Sequence, residues 1–490
     1  MLTLCRALFG AALVTLVAAA PADAADPPPS DFAGVYAENL LVSSGARREA
    51  VAERISQSGA TVVRLPMYWS RIERRRGAYR FSAYDRAIMT AARHGITLLP
   101  VVMDPPPFRS SAPPPPSAKP GMYPPRDPRE YARFAALLVR RYGPSGYWWA
   151  RHPELPSAPI RAWQVWNEPT LPRFWASGPN PRQYRRLLNL AYSAMKAADP
   201  SVEVVSAGLP HSEGGMDSGL FLQRLYVGGR PLFDSLALHP YAPTPEGLVD
   251  FTWSMRRLLD GVGEQAKPLR ITEFGWGTGG RPPRFVLSED AQAAAIAQTL
   301  EALLAQREAL RLRGLVYFAW RDQRPEFDPT SSWFSYAGLL RSDGSEKPGF
   351  LAFREAVHRL VRGVPAPQRA PQEGAATGPP CRLRDPARQF LAASLRRGIG
   401  ITLVCTRPAE VELRATRGAQ ALSGVRTRAM PSGQVLMRFP VSGSGARLLR
   451  RRSVRVLVQG TSRDSTDRVD RLRRGVTIRN AAGPARPRTR

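Results

Sequence analysis

The segment Trp163-Gln164-Val165-Trp166-Asn167-Glu168-Pro169 decides the fold, because it joins a short apolar run to two polar side chains at its end. A run of this length, stopped by proline, is typical of a buried strand in a parallel sheet. Polar groups at the carboxyl ends of such strands meet at one edge of the sheet, where barrel enzymes have their active sites. The segment therefore predicts a central strand with Glu168 at its carboxyl end.

Similar strands alternate with longer helical patterns from about Phe32 to Leu360, as in βα units around a parallel sheet. Eight strands are predicted, at Ala33 to Ala37, Thr61 to Leu65, Thr97 to Val102, Ala162 to Trp166, Glu203 to Ala207, Ser235 to Leu238, Leu269 to Glu273 and Leu315 to Trp320. Helix starts are indicated where a capping residue precedes a proline or an acid, at Asp127-Pro128, Asn180-Pro181 and Ser288-Glu289. Eight strands favour a closed (β/α)8 TIM barrel. The alternative, an open Rossmann-like sheet, requires a glycine-rich turn after the first strand, where this chain has Glu38-Asn39-Leu40.

A smaller domain is predicted after the barrel. Residues 363–380, rich in proline, alanine, glutamine and glycine, indicate a linker between a catalytic domain of residues 25–362 and a domain of residues 381–480. In the latter, short alternating runs such as Gly400 to Cys405 and Ser453 to Val458 predict a small β-sandwich. Residues 481–490 are predicted to form a disordered basic tail.

The N-terminal 24 residues have the pattern of a secretory signal peptide. Arg6 precedes an apolar run, and Ala22-Asp23-Ala24 fits the small-x-small pattern before a cleavage site. The run is short for a membrane helix, so an uncleaved anchor is the less favoured alternative, and no later run is long enough to cross a membrane. We expect a secreted or cell-surface protein cleaved near Ala24. Export leaves Cys381 and Cys405 as the cysteines of the mature chain, and we expect them to form a disulfide.

Most of the positive charge lies in the C-terminal part. The 490-residue chain has a formal net charge of +30, and residues 361–490, with 27 arginines against seven acids, carry about two thirds of it. Such a field favours an anionic partner, for example a cell-envelope polymer. A genomic bias toward arginine codons is the alternative, which the near absence of lysine supports. No nucleic-acid-binding motif accompanies the charge, so no specific nucleic acid is expected as a partner.

A proline-rich stretch, Asp104 to Pro125, follows the third predicted strand. Proline at this density continues neither a strand nor a helix, so the stretch is predicted to form a loop. Loops that follow barrel strands rise from the catalytic face, which would put this loop beside the substrate cleft. A spacer packed on the outside of the barrel is the alternative.

A second glutamate ends the seventh predicted strand, in Leu269-Arg270-Ile271-Thr272-Glu273-Phe274-Gly275-Trp276. Two carboxyl groups across one barrel mouth suit glycoside cleavage, because one protonates the leaving oxygen while the other attacks the anomeric carbon. Retention of the anomeric configuration needs the two groups roughly 5 Å apart, and inversion needs a wider gap. The pair predicts a glycosidase with Glu168 and Glu273 as catalytic residues.

These motifs resemble clan A of the retaining glycoside hydrolases. Asn167-Glu168-Pro169, Thr272-Glu273-Phe274-Gly275, His239-Pro240-Tyr241 and the segment from Gly338 to Pro348 look most like bacterial members of glycoside hydrolase family 39 and relatives described as cellulases. The resemblance extends from Phe32 to Val361, about two thirds of the chain, and stops before the C-terminal domain. It implies a hydrolase that cleaves β-linked bonds of an oligo- or polysaccharide through a covalent glycosyl-enzyme.

The resemblance also implies roles for single residues. Glu168 takes the acid/base role and Glu273 that of the nucleophile, while Asn167 would contact the sugar 2-hydroxyl. Tyr241 matches a tyrosine that donates to the nucleophile, and Arg64 matches an arginine that keeps the nucleophile ionised. For Arg64, a structural salt bridge inside the barrel is the alternative.

Several other candidate residues could equally have a purely structural role. The resemblance places His239 at the floor of the cleft, and the alternative is a core histidine with satisfied hydrogen bonds. Trp320 matches the aromatic floor of the sugar subsite, and the alternative is that it packs against a helix. Three further aromatic residues near strand ends would line sugar subsites or pack in the core, namely Tyr68, Trp69 and Trp276. The chain departs from the clan at the end of the third strand, where some members have histidine and this chain has Asp104. Either Asp104 replaces the polar contact of that histidine to the sugar, or the proline-rich loop reshapes this side of the cleft.

Two other functions share much of this pattern. A transglycosylase has the same residues and differs in whether sugar or water reaches the glycosyl-enzyme. A non-catalytic barrel that binds cell-surface polysaccharide is disfavoured by the presence of both glutamates. A metal-dependent hydrolase would need clusters of histidine at strand ends, and five scattered histidines do not form them, so neither a metal nor a cofactor is expected.

Overall fold

The structure is a computed structural model of the chain. It describes residues 29–114, 120–211, 214–323 and 331–361, and then 381–384, 389–390, 399–405, 409–417, 420–423, 426–430, 433–439, 453–464 and 469–479. The predicted signal peptide, linker and basic tail lie outside the described residues. The chain divides into two compact units, Met1–Ala366 and Pro367–Arg490. Within the described ranges, no helix is both long and apolar enough to span a bilayer.

The first unit contains a sheet of parallel strands with mostly buried side chains. The strands are β1 (Ala33–Tyr36), β2 (Val62–Tyr68), β3 (Thr97–Met103), β4 (Ala162–Val165), β5 (Glu203–Val205, continued by Leu209–Pro210), β6 (Leu236–His239), β7 (Leu269–Phe274) and β8 (Leu312–Tyr317). All eight predicted strands are therefore confirmed, with ends that differ by a few residues. The fifth is interrupted after Val205, and the eighth ends at Tyr317, so Trp320 lies beyond it.

The order of the strands makes the sheet curl on itself. Neighbouring strands pair in parallel in the order β5, β4, β3, β2, β1, β8, β7, β6 and again β5. The first segment of β5 pairs with β4 and its second segment with β6, and a bridge between Val205 and Ser235 adds to the closure. The architecture is TIM-barrel-like, as predicted, and the Rossmann alternative is not followed.

Eight longer helices alternate with the strands in the described part of the first unit. They are α1 (Gly45–Gln57), α2 (Ser82–Arg93), α3 (Pro128–Tyr142), α4 (Pro181–Ala198), α5 (Ser218–Leu225), α6 (Pro245–Gly261), α7 (Glu289–Ala305) and α8 (Pro348–Val361). The three predicted helix starts are confirmed, because the side chains of Asp127, Asn180 and Ser288 each accept a hydrogen bond from a backbone N–H of the first turn. Shorter helical turns lie in the loops, at Asn39–Val42, Trp69–Ile72, Pro120–Met122, Tyr147–Ala150, Pro283–Phe285, Arg307–Leu310 and Trp333–Tyr336.

The second unit consists of antiparallel strands in its described residues. They are β9 (Cys381–Arg384), β10 (Gln389–Phe390), β11 (Ile399–Cys405), β12 (Ala409–Arg417), β13 (Gln420–Ala421), β14 (Arg426–Met430), β15 (Gly433–Phe439), β16 (Ser453–Asp464) and β17 (Val469–Arg479). β9, β11 and β15 form one sheet, and the others form a second sheet in which only β10 pairs in parallel. Cys381 lies opposite Cys405 in the pairing of β9 with β11, a register that favours the expected disulfide, which stays a prediction. A sandwich of the two sheets likewise stays a prediction.

Candidate active site

Glu168 and Glu273 meet at the carboxyl-terminal end of the barrel. Glu168 follows β4 and Glu273 is the fifth residue of β7, and both side chains are largely buried. One carboxylate oxygen from each and one ring nitrogen of His239 all lie within 4.8 Å of one another. The two acids, 105 positions apart in the chain, therefore share one small space, at a separation near that of retaining glycosidases and below that of inverting ones.

His239 connects the two carboxyl groups. Its Nδ1 lies 2.7 Å from Glu168 Oε1 and 3.6 Å from Glu273 Oε2, while its Nε2 lies 2.9 Å from the hydroxyl of Thr272. The imidazole is fully buried as the last residue of β6. A Cβ at Gly208 would lie 2.0 Å from Nε2, so only glycine leaves room for the ring at that position. His239 is thus part of the site rather than a core histidine remote from it.

Arg64 on β2 holds three side chains of the site at once. Its Nη1 donates to Glu273 Oε1 at 2.5 Å, its Nη2 to Asn167 Oδ1 at 2.9 Å and its Nε to Gln164 Oε1 at 2.8 Å. The guanidinium is 1% exposed, so each of its donors must be satisfied inside the protein. The ion pair between Arg64 and Glu273 orients the carboxylate, and it links Asn167 to the same clamp.

The surroundings push the pKa values of the two glutamates in opposite directions. Burial alone would raise the pKa of Glu273, but His239, Arg64 and the hydrogen bond from Tyr241 outweigh burial and hold the pKa below 4.5. The Tyr241 hydroxyl donates to Glu273 Oε2 at 2.6 Å. Burial dominates at Glu168 and raises its pKa above 4.5, against the opposing effect of His239. The surroundings thus favour the ionised form of Glu273 and the protonated form of Glu168.

Two buried polar residues of the site were not predicted. Gln164 accepts from Arg64 and donates to the Thr272 hydroxyl at 3.2 Å and to the Ser206 carbonyl at 3.1 Å. Thr272 in turn contacts His239. The network thereby runs from the cation on Glu273 to the imidazole on Glu168. Its sequence signal was present, since Gln164 interrupts an apolar buried strand, Thr272 lies within a second buried strand, and such groups need partners.

The backbone is unusual at the site. Trp166 and Glu168 have positive φ values of 70° and 40°. Bulky side chains adopt this region rarely, and such strain persists where the surrounding structure imposes it. The turn directs the Glu168 carboxyl group toward His239 while the indole of Trp166 donates to the carbonyl of Phe174 at 2.8 Å.

The three predicted tryptophans do not line the site. Trp69 and Trp276 are at most 1% exposed, and their indoles donate to Glu73 and to the Ala242 carbonyl. Trp320 is equally buried and packs edge to face on Phe350 of α8. Side chains with so little surface offer a sugar no contact area, so these three predictions are corrected to core packing. Phe318 approaches the site instead, with its ring centroid 6.4 Å from that of Tyr241 and in T-shaped geometry.

Asp104 supports the proline-rich loop. It accepts a hydrogen bond from the Ser70 hydroxyl, and its backbone has a φ of 64°. A Cβ at Gly121 would lie 1.4 Å from Asp104 Oδ1, so the loop folds back directly over this carboxyl group. Farther along, the Met122 carbonyl accepts from the backbone N–H of Ala176 in the loop that follows Glu168. The described part of the loop therefore borders the catalytic face, and the outer-spacer alternative is wrong for it.

Among the described residues, the candidates for a metal site are the two glutamates of the active site and the histidine between them. Glu168, His239 and Glu273 each offer a ligand atom within the required distance. The guanidinium of Arg64, however, already lies 2.5 Å from Glu273 and would repel a second cation there. The donor set therefore fits a metal ion poorly.

Comparisons with known proteins agree on the fold. No protein-family model and no curated protein matches the chain. A glucosidase from Croceicoccus marinus is similar at 16% identity, with a TM-score of 0.50 over 85% of this chain and 96% of that one. A monomeric beta-xylosidase from Caulobacter crescentus CB15 is similar at 14% identity, with a TM-score of 0.50 over 93% and 98% of the two chains. Both confirm the TIM-barrel-like fold.

The matching structures include family 39 enzymes, as the sequence motifs predict. A family 39 glycoside hydrolase from the gut symbiont Bacteroides cellulosilyticus WH2 has 18% identity and a TM-score of 0.48 over 84% of this chain and 79% of that one. The chemistry has to be argued from the residues themselves.

Proposed function

We propose that this protein is a retaining glycoside hydrolase that cleaves β-linked bonds of an oligo- or polysaccharide. The observation that carries the proposal is the pair of carboxyl groups within 4.8 Å whose pKa values are shifted apart, below 4.5 for Glu273 and above 4.5 for Glu168. A nucleophile must be ionised and a general acid must be protonated at the same pH, and the opposite shifts of the two pKa values favour that combination.

The first step forms a bond between the protein and the sugar. Glu273 attacks the anomeric carbon as Glu168 gives its proton to the glycosidic oxygen, so the C–O bond breaks and the leaving alcohol departs. In the second step Glu168, now a carboxylate, takes a proton from water. The hydroxyl adds to the anomeric carbon, the ester bond to Glu273 breaks, and both acids return to their starting states.

The neighbours of the two acids have matching roles in this proposal. Arg64 and Tyr241, each bonded to Glu273, stabilise the carboxylate before attack and again as it leaves. Asn167, whose Oδ1 accepts from Arg64, is positioned to donate from its amide NH2 to the sugar 2-hydroxyl, a contact that strengthens in the transition state. His239 lies 2.7 Å from Glu168 and keeps that carboxyl group directed at the shared space.

We further propose that the enzyme acts outside the cell. The signal-peptide pattern of residues 1–24 supports export, and the arginine-rich residues 361–490 suit an anionic polymer of the cell envelope. Binding of the purified full-length protein to cell-wall material at low and high salt tests the proposed contact with an anionic polymer, since an electrostatic contact weakens with salt.

Product stereochemistry and chemical rescue test the proposed mechanism. The first product seen by NMR during hydrolysis of aryl β-glycosides is expected to be the β-anomer. Azide is expected to restore activity to Glu273→Gly with formation of an α-glycosyl azide, and to Glu168→Ala with formation of a β-glycosyl azide. Azide products of the opposite configurations would exchange the two roles, and an α-anomeric first product would contradict retention.

A further inference from the structure

A third carboxyl group lies at the catalytic end of the barrel. Glu38 is the second residue after β1, Tyr36 is the last residue of β1, and Tyr68 is the last residue of β2. The ends of these strands face the same side as Glu273 and Glu168. Glu38 is partly exposed, with 29% of its side chain accessible, so a ligand in the site is able to reach it.

The Glu38 carboxylate is held by tyrosine hydroxyls rather than by a close ion pair. The Tyr68 hydroxyl donates to Oε1 at 3.2 Å and the Tyr36 hydroxyl to Oε2 at 3.4 Å. Arg71 lies 3.7 Å from Oε1, but its side chain is 53% exposed, and ion pairs of this kind contribute little. The Arg71 guanidinium instead stacks over the Tyr68 ring, 4.1 Å from its centroid.

The side chain of Tyr36 lies between Glu38 and Glu273, the proposed nucleophile. The Cζ atom of Arg64, which binds Glu273, lies 6.0 Å from the centroid of the Tyr36 ring. The Tyr36 ring also packs against that of Phe318, with the ring centroids 4.9 Å apart. Tyr36 and Phe318 therefore form an aromatic wall that leads from Glu273 to Glu38, and such a wall suits the apolar face of a sugar.

The two tyrosines fix the orientation of Glu38 and leave acceptor capacity unused. Burial and the nearby Glu38 charge raise the pKa of both Tyr36 and Tyr68, so their hydroxyls stay protonated donors. A carboxylate has about four lone-pair sites, and the two tyrosines use two of them. The free sites suit two neighbouring hydroxyl donors, which is what adjacent carbons of a sugar ring present.

We infer that Glu38 is a specificity-determining residue that accepts hydrogen bonds from ring hydroxyls of the sugar bound against Glu273. The inference rests on the proposed function, and it names the substrate group that the site selects. A site built to bond a hydroxyl rejects analogues that lack it, because the acceptor is then left unpaired. Glu38 is thus a binding residue that discriminates among glycosides and takes no part in bond breaking.

Substrate deletion combined with Glu38→Gln tests this contact. Wild type, Glu38→Gln and Glu154→Gln are compared on 4-nitrophenyl β-D-glucopyranoside, on the β-D-xylopyranoside, and on the 3-deoxy and 4-deoxy analogues of each. Glu154 is a matched control, because its carboxylate is exposed in the loop before β4, at the opposite end of the barrel. Melting temperatures of the three proteins show whether folding is affected.

The expected result is that the effects of the Glu38→Gln substitution and of hydroxyl removal on kcat/KM are not additive. In wild type and Glu154→Gln, removing the contacted hydroxyl lowers kcat/KM by roughly 10- to 100-fold, as for a hydrogen bond to a charged group. Glu38→Gln lowers kcat/KM on the parent glycoside by a similar factor, and deletion of that hydroxyl then lowers it by less than about 3-fold more.

Two results overturn the inference, and they are distinguishable. If wild type hydrolyses the glycosides but Glu38→Gln loses as much as wild type on both deoxy analogues, the inference is wrong and the proposed function stands. If wild type hydrolyses neither these glycosides nor any of a panel of β-linked polysaccharides, the proposed function is wrong and this inference falls with it.

Discussion

Each end of the barrel contains a buried arginine paired with a glutamate, but only the pair at the carboxyl end has a glutamate that is available for a reaction. At the carboxyl end Arg64 pairs with Glu273, beside a second carboxyl group within 4.8 Å. At the amino end Arg270 donates twice to Glu203, with both distances 2.7 Å. Glu203 also accepts from the Ser235 hydroxyl, and Asp31 lies 3.4 Å from Arg270.

The difference lies in how the charges balance. At the amino end, Arg270 and Arg313 face Asp31 and Glu203, and every carboxylate has a cation or donor as partner. At the carboxyl end the guanidinium of Arg64 bonds Glu273, Glu168 contacts the imidazole of His239 instead of a guanidinium, and the backbone of Glu168 is held at a strained φ. A fully paired cluster contributes to stability, whereas an incompletely paired and strained one is typical of a functional site.

Matched neutral substitutions at the two ends give the largest expected effects. Glu273→Gln removes the nucleophile and is expected to lower kcat by about 10⁴-fold or more while the protein stays folded. Glu203→Gln leaves Arg270 without its bidentate partner and is expected to destabilise folding by about 3 kcal/mol. Activity assays of the folded proteins at low temperature, together with urea unfolding, separate the two effects. Loss of kcat in Glu203→Gln equal to that in Glu273→Gln would abolish the distinction between the ends.

The pH dependence of activity gives a smaller but more specific effect. Glu273 must be ionised, and its pKa is lowered, so kcat/KM is expected to fall tenfold per pH unit only below about pH 4.5. Glu168 must be protonated, and its pKa is raised, so the alkaline limb is expected above about pH 4.5. The optimum lies between the two limbs.

A variant whose pH profile keeps only one of the two limbs sharpens the same comparison. Glu168→Gln, assayed with a 2,4-dinitrophenyl glycoside whose leaving group needs no proton, is expected to lose the alkaline limb and keep the acid limb. Retention of both limbs would show that another group titrates as the acid. Loss of the acid limb instead would exchange the roles of the two glutamates.

Sequence patterns predicted the strands, the helix starts and the positions of Glu168 and Glu273 at strand ends, because each depends on local chemistry. Asn167-Glu168-Pro169 ends a buried strand, and Asp127 precedes a proline, so short stretches contain the whole signal. The interrupted fifth strand was not predicted, because the room that Gly208 leaves for His239 depends on a contact between distant segments.

The tryptophans show where sequence reasoning failed. Position near a strand end does not reveal which way a side chain points, and Trp69, Trp276 and Trp320 all point into packed regions. Phe318 and Glu38 had no distinguishing pattern, because their part in the site depends on Tyr36 lying between them and Arg64. Gln164 and Thr272 were predictable from polarity alone, since a buried polar side chain requires a partner.

Trapping of the glycosyl-enzyme tests the central claim most directly. The protein is incubated with 2,4-dinitrophenyl 2-deoxy-2-fluoro-β-D-glucoside or the corresponding xyloside, digested, and analysed by mass spectrometry. The predicted result is one covalent fluoroglycosyl group per chain, on the peptide that contains Glu273. Labelling at Glu168, or turnover of the parent glycosides with no labelling and an inverted product, would contradict the account.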